Sequence, residues 1–342
     1  HPKSLPEKPK LRKYIEAVAG RTENGAQILG LKDILHLTGK TLWMQPQLFY
    51  ILRFMDGQHT GVDIRAAFLH KYEEFLFEDD YVHFINQLNE HFLLDNERYQ
   101  QKFQEKTEEF RHSGVRPNVY AGSSYPREAD LCARFIEKGL MEINNRPDHV
   151  GRARKIKAMI LPHIDLRLGL ASYLKGYQLL SQAHPADLYV IFGIGHNGLC
   201  NLFSLTKVDF ATPFGLVETD KEFVQKLDDG LETDHFSQEL IHQTEHSIEF
   251  QAVLLKYFAK KRFKIVPILS SFNFVALSEA TAKEKTIFHQ FVKRLKQLFA
   301  WYQGRITIIA SVDFSHVGPR YGDAFPPDHY FMAKVESNDH VI

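Results

Sequence analysis

The chain has 342 residues, 44% hydrophobic and 25% charged, enough to bury a sizeable core in one large domain or two smaller ones. Its 42 basic and 42 acidic side chains cancel, which argues against nucleic acid or an anionic membrane surface as principal partner. No apolar run approaches the roughly 20 residues that span a bilayer, and Cys132 and Cys200 allow one disulfide at most, so a cytoplasmic protein is expected.

The Pro/Lys-rich opening "HPKSLPEKPK" reads as a mobile lead-in, with order beginning near Leu11. "ILGLKDILHLTGKTLWMQ" holds two short alternating runs that turn at Gly and Lys. Leu48, Ile51, Leu52 and Met55 then recur at helical spacing until "DGQHTG" breaks the pattern. Residues 61–76 and 79–94 read as two amphipathic helices, the second with Tyr81, Phe84, Ile85 and Leu88 on one face. These elements predict a small α+β domain over 11–112. The pattern "LRFMDGQHTGVDI…LNEHFLLDNERY" resembles the winged-helix-like, PqqD-type peptide-recognition domains; a helical cap with no ligand of its own fits it equally.

The charged stretch "YQQKFQEKTEEFRHSG" leads to a boundary at Val115. Beyond it short apolar runs alternate with helical ones: "IKAMILPH", "LASYLKGYQLLSQ", "LYVIFGIGH", "DKEFVQKLDDGL", "EHSIEFQAVLLKYFAKK", "FKIVPILSS", "KTIFHQFVKRLKQLFAWY" and "RITIIASVDFSH". That rhythm predicts an α/β domain over 115–342, a mostly parallel sheet with helices on both faces.

In such sheets ligands bind at the carboxyl ends of the strands. Three runs end there in polar groups: His163 in "LPHIDLRLG", His196 in "FGIGHNG", and Asp313 with His316 in "ASVDFSH". One histidine at a strand end is ordinarily structural; three strands supplying imidazoles to one rim point to a shared pocket. Glu245, His246 and Glu249 open a helix in "QTEHSIEFQ" at spacings that can share a face. An acid in a first turn also simply complements the helix dipole, whereas a cationic His there is disfavoured and reads as a neutral ligand or proton relay. "TPFGLVETD" reads equally as a flap over this edge or as a surface hairpin. Asp165, beside His163, reads as a partner of an imidazole, a further ligand or a solvated loop acid.

Imidazoles and carboxylates on one rim suit a divalent iron, copper or zinc ion, and they suit acid/base work equally. No Gly-flanked nucleophile elbow surrounds Ser247, Ser311 or Ser315, and "GIGHNG" lacks dinucleotide or P-loop spacing.

In order, "RPNVYAGSSYP", "ILPHIDLRLG", "FGIGHNG", "TPFGLVETD", "EHSIEFQ" and "SVDFSHVG" resemble the Memo family, whose bacterial members carry the label AmmeMemoRadiSam system protein B. The resemblance implies a fold similar to the class III extradiol ring-cleaving dioxygenases. It also implies metal ligation by His163 and His196, with Glu245, His246, Asp313 and His316 lining the pocket as catalytic groups, His246 or His316 as acid/base. The family's third ligand, a cysteine in a "CG-x-x-P" context nearer its C-terminus, has no match before Ile342; either the sequence stops short of the family's C-terminal segment or the site is completed otherwise, and a metal is expected to be weak or absent. A small pair follows the first histidine in the family, where this sequence has Ile164-Asp165. Two functions follow: redox or oxygenase-type chemistry on a small molecule or modified side chain, or a non-catalytic peptide- or protein-binding adaptor. The partners implied are a radical S-adenosylmethionine protein and an AMMECR-type protein.

Overall fold

A computed structural model describes residues 6–144, 155–196, 201–272 and 277–340. The chain divides into two units, 1–112 and 113–342.

In the first unit β1 (Ile15–Arg21), β2 (Gln27–Asp33) and β3 (Thr41–Met44) form an antiparallel sheet in that order. The helices α1 (Pro46–Ile51), α2 (Gly61–Tyr72), α3 (Glu78–Glu90) and α4 (Glu97–Ser113) follow. Leu31, Leu42 and Met44 from the sheet share a core with Ile64 and Phe68 of α2 and with Tyr81, Phe84, Ile85 and Leu88 of α3. Those four α3 positions are the stripe that the sequence spacing predicts. Thr60 and Asp63 cap α2 reciprocally, each side chain taking a backbone N–H of the other. Strand β1 was not foreseen, because "IEAVAGR" carries small and polar residues at the positions that an inward face would fill with large apolar ones.

The second unit contains β4 (Val115–Arg116), α5 (Ala129–Asn144), β5 (Ala158–Leu161), α6 (Leu166–Gln182), β6 (Leu188–Ile194), β7 (Phe203–Leu205), β8 (Asp209–Thr212), β9 (Gly215–Thr219) and α7 (Lys221–Asp228). It continues through α8 (His246–Phe258), β10 (Lys264–Ser270), α9 (Ala282–Trp301), β11 (Ile306–Ser311) and α10 (His329–Asp339). The sheet runs β4-β8-β9-β10-β6-β11-β5, with β7 also on β10. Pairings are parallel except β8 with β9 and β7 with β10. This is the α/β architecture expected from the alternating runs.

Side chains alternate across β6 and sort the helices into two layers. Leu188 and Val190 pack with Phe223, Val224 and Leu227 of α7 and with Phe291, Leu295 and Leu298 of α9. On the other face α8 comes close at Gly193, where an added Cβ would lie 2.5 Å from Ser247 Oγ and 2.7 Å from Ile248 Cγ1. Both contacts are on a helix held by the sheet, so neither can yield freely. Gly193→Ala is therefore expected to cost about 1–3 kcal/mol through overpacking, read as a lowered denaturant midpoint; an unchanged midpoint would show that α8 can shift.

The "TPFGLVETD" hairpin does not cover the strand ends. It is β8–β9 with its turn, and β9 pairs through Glu218 and Thr219 with Lys264 and Ile265, the first residues of β10. That register places the hairpin turn at the amino edge of the sheet, away from the histidines. No helix among the described residues is long and apolar enough to cross a membrane.

Candidate metal centre

Strand β11 is hydrogen-bonded to β5 on one side and to β6 on the other, so three carboxyl ends lie side by side. Leu161 and Ser311 are register partners, and His163 and Asp313 each lie two residues beyond them. Asp313 ties the two ends together: its Oδ1 accepts the backbone N–H of His163 at 2.8 Å and of Ile164 at 3.2 Å. His196 follows β6 at the same edge.

Helix α8 reaches these ends because its first turns carry polar side chains that satisfy strand-end backbone. Ser247 Oγ accepts the N–H of Ile194 at 3.0 Å and donates to the carbonyl of the same residue. Gln251 Nε2 donates to the Pro162 carbonyl and to Ser311 Oγ, both at 2.8 Å, and Ser311 Oγ donates to the Ser247 carbonyl. These side chains are fully buried, and each bond replaces water that the strand ends would otherwise need. The staple sets Glu245 and His246 against the histidine loops.

His163, His196 and His246 each offer a ring nitrogen, and the three lie within 4.8 Å of one another. His196 and His246 stack with centroids 4.7 Å apart, and His163 stands nearly perpendicular to both. The hydrogen bonds decide which nitrogens are free. Nδ1 of His163 is 3.0 Å from the Ser311 carbonyl, so it must carry the proton. Nδ1 of His196 lies 3.1 Å from both oxygens of Glu245, and Nδ1 of His246 lies 3.2 Å from Oε1 of the same carboxylate. With all three Nδ1 atoms facing acceptors, the Nε2 lone pairs remain for a ligand.

Glu245 is the N-cap of α8, accepting the Ser247 N–H at 2.9 Å, and its carboxylate is almost wholly buried. Burial alone would raise its pKa; the His196 hydrogen bond and the two imidazoles outweigh burial and hold it at about 2. Burial pushes His163 below its ordinary value and His246 down to about 4, against the pull of the nearby carboxylates. Burial also lowers His196, but there the Glu245 hydrogen bond prevails and the pKa is raised. The result is a trio dominated by neutral nitrogen donors backed by a fixed negative charge, an environment that favours a cation.

His316 lies apart from the trio, half exposed, with Nε2 3.8 Å from Asp313 Oδ2 and its ring against Tyr321. Asp313 Oδ2 is also 3.6 Å from Nε2 of His163. Two residues behave differently from the sequence reading. Asp165 neither orients an imidazole nor faces the trio: it caps α6 and is held by Arg167 and Ser124. Glu249 is not among the groups that face the imidazoles' ring nitrogens. It turns into the protein to pair with Arg116 at 2.5 Å and to accept the N–H groups of Val119 and Tyr120. Arg116, Ser247, Gln251 and the Ser311 carbonyl were not recognised from sequence. Their partners lie far along the chain, 126 positions for Arg116 and His242, and no spacing rule reaches that far. Asn197, Gly198 and Cys200 lie outside the described residues.

A family model described as Memo-like protein matches residues 116–341. The chain belongs to the Memo family. A MEMO1 family protein of Aquifex aeolicus is 32% identical over 278 residues, 81% of this chain and 69% of that one. Counterparts in Thermus thermophilus and Pyrococcus abyssi are 28% and 30% identical over 69% and 61% of this chain. The aligned region spans about two thirds of each relative's length, 65% for the Thermus protein and 67% for the Pyrococcus protein. The Aquifex match is longer than the 113–342 unit, so this Memo relative shares part of the N-terminal unit as well.

Proposed function

We propose that this Memo-family chain holds a divalent metal on His163, His196 and His246 and performs redox or oxygenase-type chemistry on a small molecule or a modified side chain. One observation carries the reading: three imidazoles converge with every Nδ1 already facing an acceptor, leaving three Nε2 donors for one ion. In this assignment His246, on a helix rather than a strand end, takes the third ligand position. Three neutral nitrogens suit iron, copper or zinc, and an ion of that type supplies Lewis acidity, with one-electron chemistry added by iron or copper.

The chain's own residues have distinct tasks. Glu245 orients His196 and His246 from behind and neutralises charge gathered at the centre. Asp313 fixes the His163 loop through two backbone N–H groups and keeps a second oxygen toward the same ring. His316, exposed beside Asp313 with Nε2 3.8 Å from its Oδ2, is assigned the proton transfer to or from a bound molecule in this reading. Ring cleavage of the extradiol type belongs to the same proposal, with Asp313 as the carboxylate that such a two-histidine site requires. Metal analysis of protein purified without chelator, followed by titration with Fe(II), Cu(II) and Zn(II), tests the reading; no binding of any of the three would end it.

The adaptor reading is favoured by one feature of the first unit. Phe75 and Phe77 are 72% and 68% exposed with their rings stacked, and α2 exposes Val62 and Leu69. Contiguous exposed apolar surface marks docking sites, and in this second reading the stacked Phe75–Phe77 pair is the contact for a protein such as a radical S-adenosylmethionine enzyme. The Phe75→Ser/Phe77→Ser chain is expected to lose at least tenfold in affinity for that enzyme by calorimetry, and equal affinity removes the idea.

A further inference from the structure

Arg116 is fully buried, and three of its hydrogen bonds go to the segment from His242 to Glu249 that carries Glu245 and His246. It stands at the end of β4, beside Phe210 of β8, whose ring its guanidinium overlies at 5.4 Å. Nε donates to the His242 carbonyl at 2.6 Å, Nη2 to the Glu245 carbonyl at 2.8 Å, and Nη1 to the Pro117 carbonyl and to Glu249. Tyr120, four residues on, donates from its hydroxyl to the Thr244 carbonyl at 2.9 Å. Three of the four carbonyls from His242 to Glu245 are thus gripped by side chains of the 116–120 segment.

The grip is itself anchored. Glu249 neutralises the guanidinium and accepts the N–H groups of Val119 and Tyr120 and the hydroxyl of Tyr125. The backbone that Arg116 holds ends at Glu245, whose carboxylate faces Nδ1 of both His196 and His246. A carboxylate can orient two imidazoles only if its own backbone is stationary, and a planar guanidinium with five fixed donors is suited to holding two carbonyls and a carboxylate at once.

We infer that Arg116 is a positioning residue for the metal centre: through the His242 and Glu245 carbonyls it fixes the Glu245 carboxylate and so the geometry of two of the three imidazoles. This inference rests on the metal reading above. Lysine at this position keeps the charge beside Glu249 but lacks the fork that spans both carbonyls.

The test uses the full chain and Co(II), whose visible bands report ligand geometry and whose affinity is read by titration. Arg116→Lys is expected to weaken Co(II) binding about 10–100-fold, as loss of other outer-sphere partners does, and to shift the bands, measured well below the unfolding midpoint. A merely structural Arg116 would lower that midpoint while leaving affinity and spectrum as in the parent, and that result overturns the inference. If Arg116→Lys does not fold, Arg116→Met/Glu249→Leu removes both charges at similar volume, a change that buried pairs often tolerate. It still leaves the carbonyls ungripped, so the same weakened binding is expected and unaltered binding again overturns the inference. Failure of the parent chain to bind Co(II) would instead overturn the metal reading, and the inference with it.

Discussion

The His163→Ala/His196→Ala chain is expected to lose metal entirely at concentrations where the parent holds about one equivalent. Protein sites with four donors bind zinc with about 10–16 kcal/mol, so each donor is worth roughly 3 kcal/mol. Removing two costs about 6 kcal/mol, on the order of 10⁴-fold in affinity. The fold should survive, because His163 contributes one hydrogen bond to the Ser311 carbonyl and His196 is on an exposed turn whose own N–H to Glu245 is backbone. Mass-spectrometric metal content beside the unfolding midpoint separates the two effects. Metal retained at full stoichiometry by the double variant would show that the imidazoles are not the ligands. Loss of metal together with loss of folding would leave the assignment to the titration of His246→Ala, in which a parent-like affinity counts against it.

Glu249→Ala is expected to be the most damaging single change to stability. It leaves the buried Arg116 charge without its carboxylate and strips an acceptor from Tyr125 and from two backbone N–H groups. Breaking a buried pair from one side costs about 3–5 kcal/mol, because the remaining charge stays in a medium that cannot solvate it. For a unit of this size that corresponds to a fall of roughly 10 °C in midpoint. Arg116→Met/Glu249→Leu should be milder, since neither charge is then stranded and only the neutral partners of the pair lose their hydrogen bonds. A loss below about 1 kcal/mol for Glu249→Ala would mean that water or another group reaches Arg116 and that the pair is not sealed as the structure shows.

Glu249 also shows where helical spacing misleads. Its separation from Glu245 suggests one polar face, but Glu245 is the cap, with φ −82° and ψ 131°, outside the helix whose periodicity would align the two. Arg116 then decides the matter by drawing Glu249 inward. Asp165 teaches the same lesson at α6: adjacency to His163 suggests the pocket, yet its oxygens cap the helix and take up Arg167.

What the sequence determined by itself was local. Alternating β-rich and helical runs specify an α/β sheet, because a buried parallel strand must be apolar throughout and a covering helix on one stripe only. Polar residues just past those runs mark the carboxyl edge, and the histidine and aspartate motifs there point to the Memo family, whose model matches residues 116–341. Tertiary structure decided the rest. That β11 lies between β5 and β6, bringing Asp313 to the His163 loop, follows from strand order. That His246 joins His163 and His196 depends on α8 being stapled to the strand ends through Ser247 and Gln251. Which nitrogen of each ring stays free is set by the Ser311 carbonyl and the Glu245 carboxylate. These are contacts between residues distant in the chain, governed by packing and hydrogen-bond satisfaction in three dimensions, and spacing along one dimension carries no record of them.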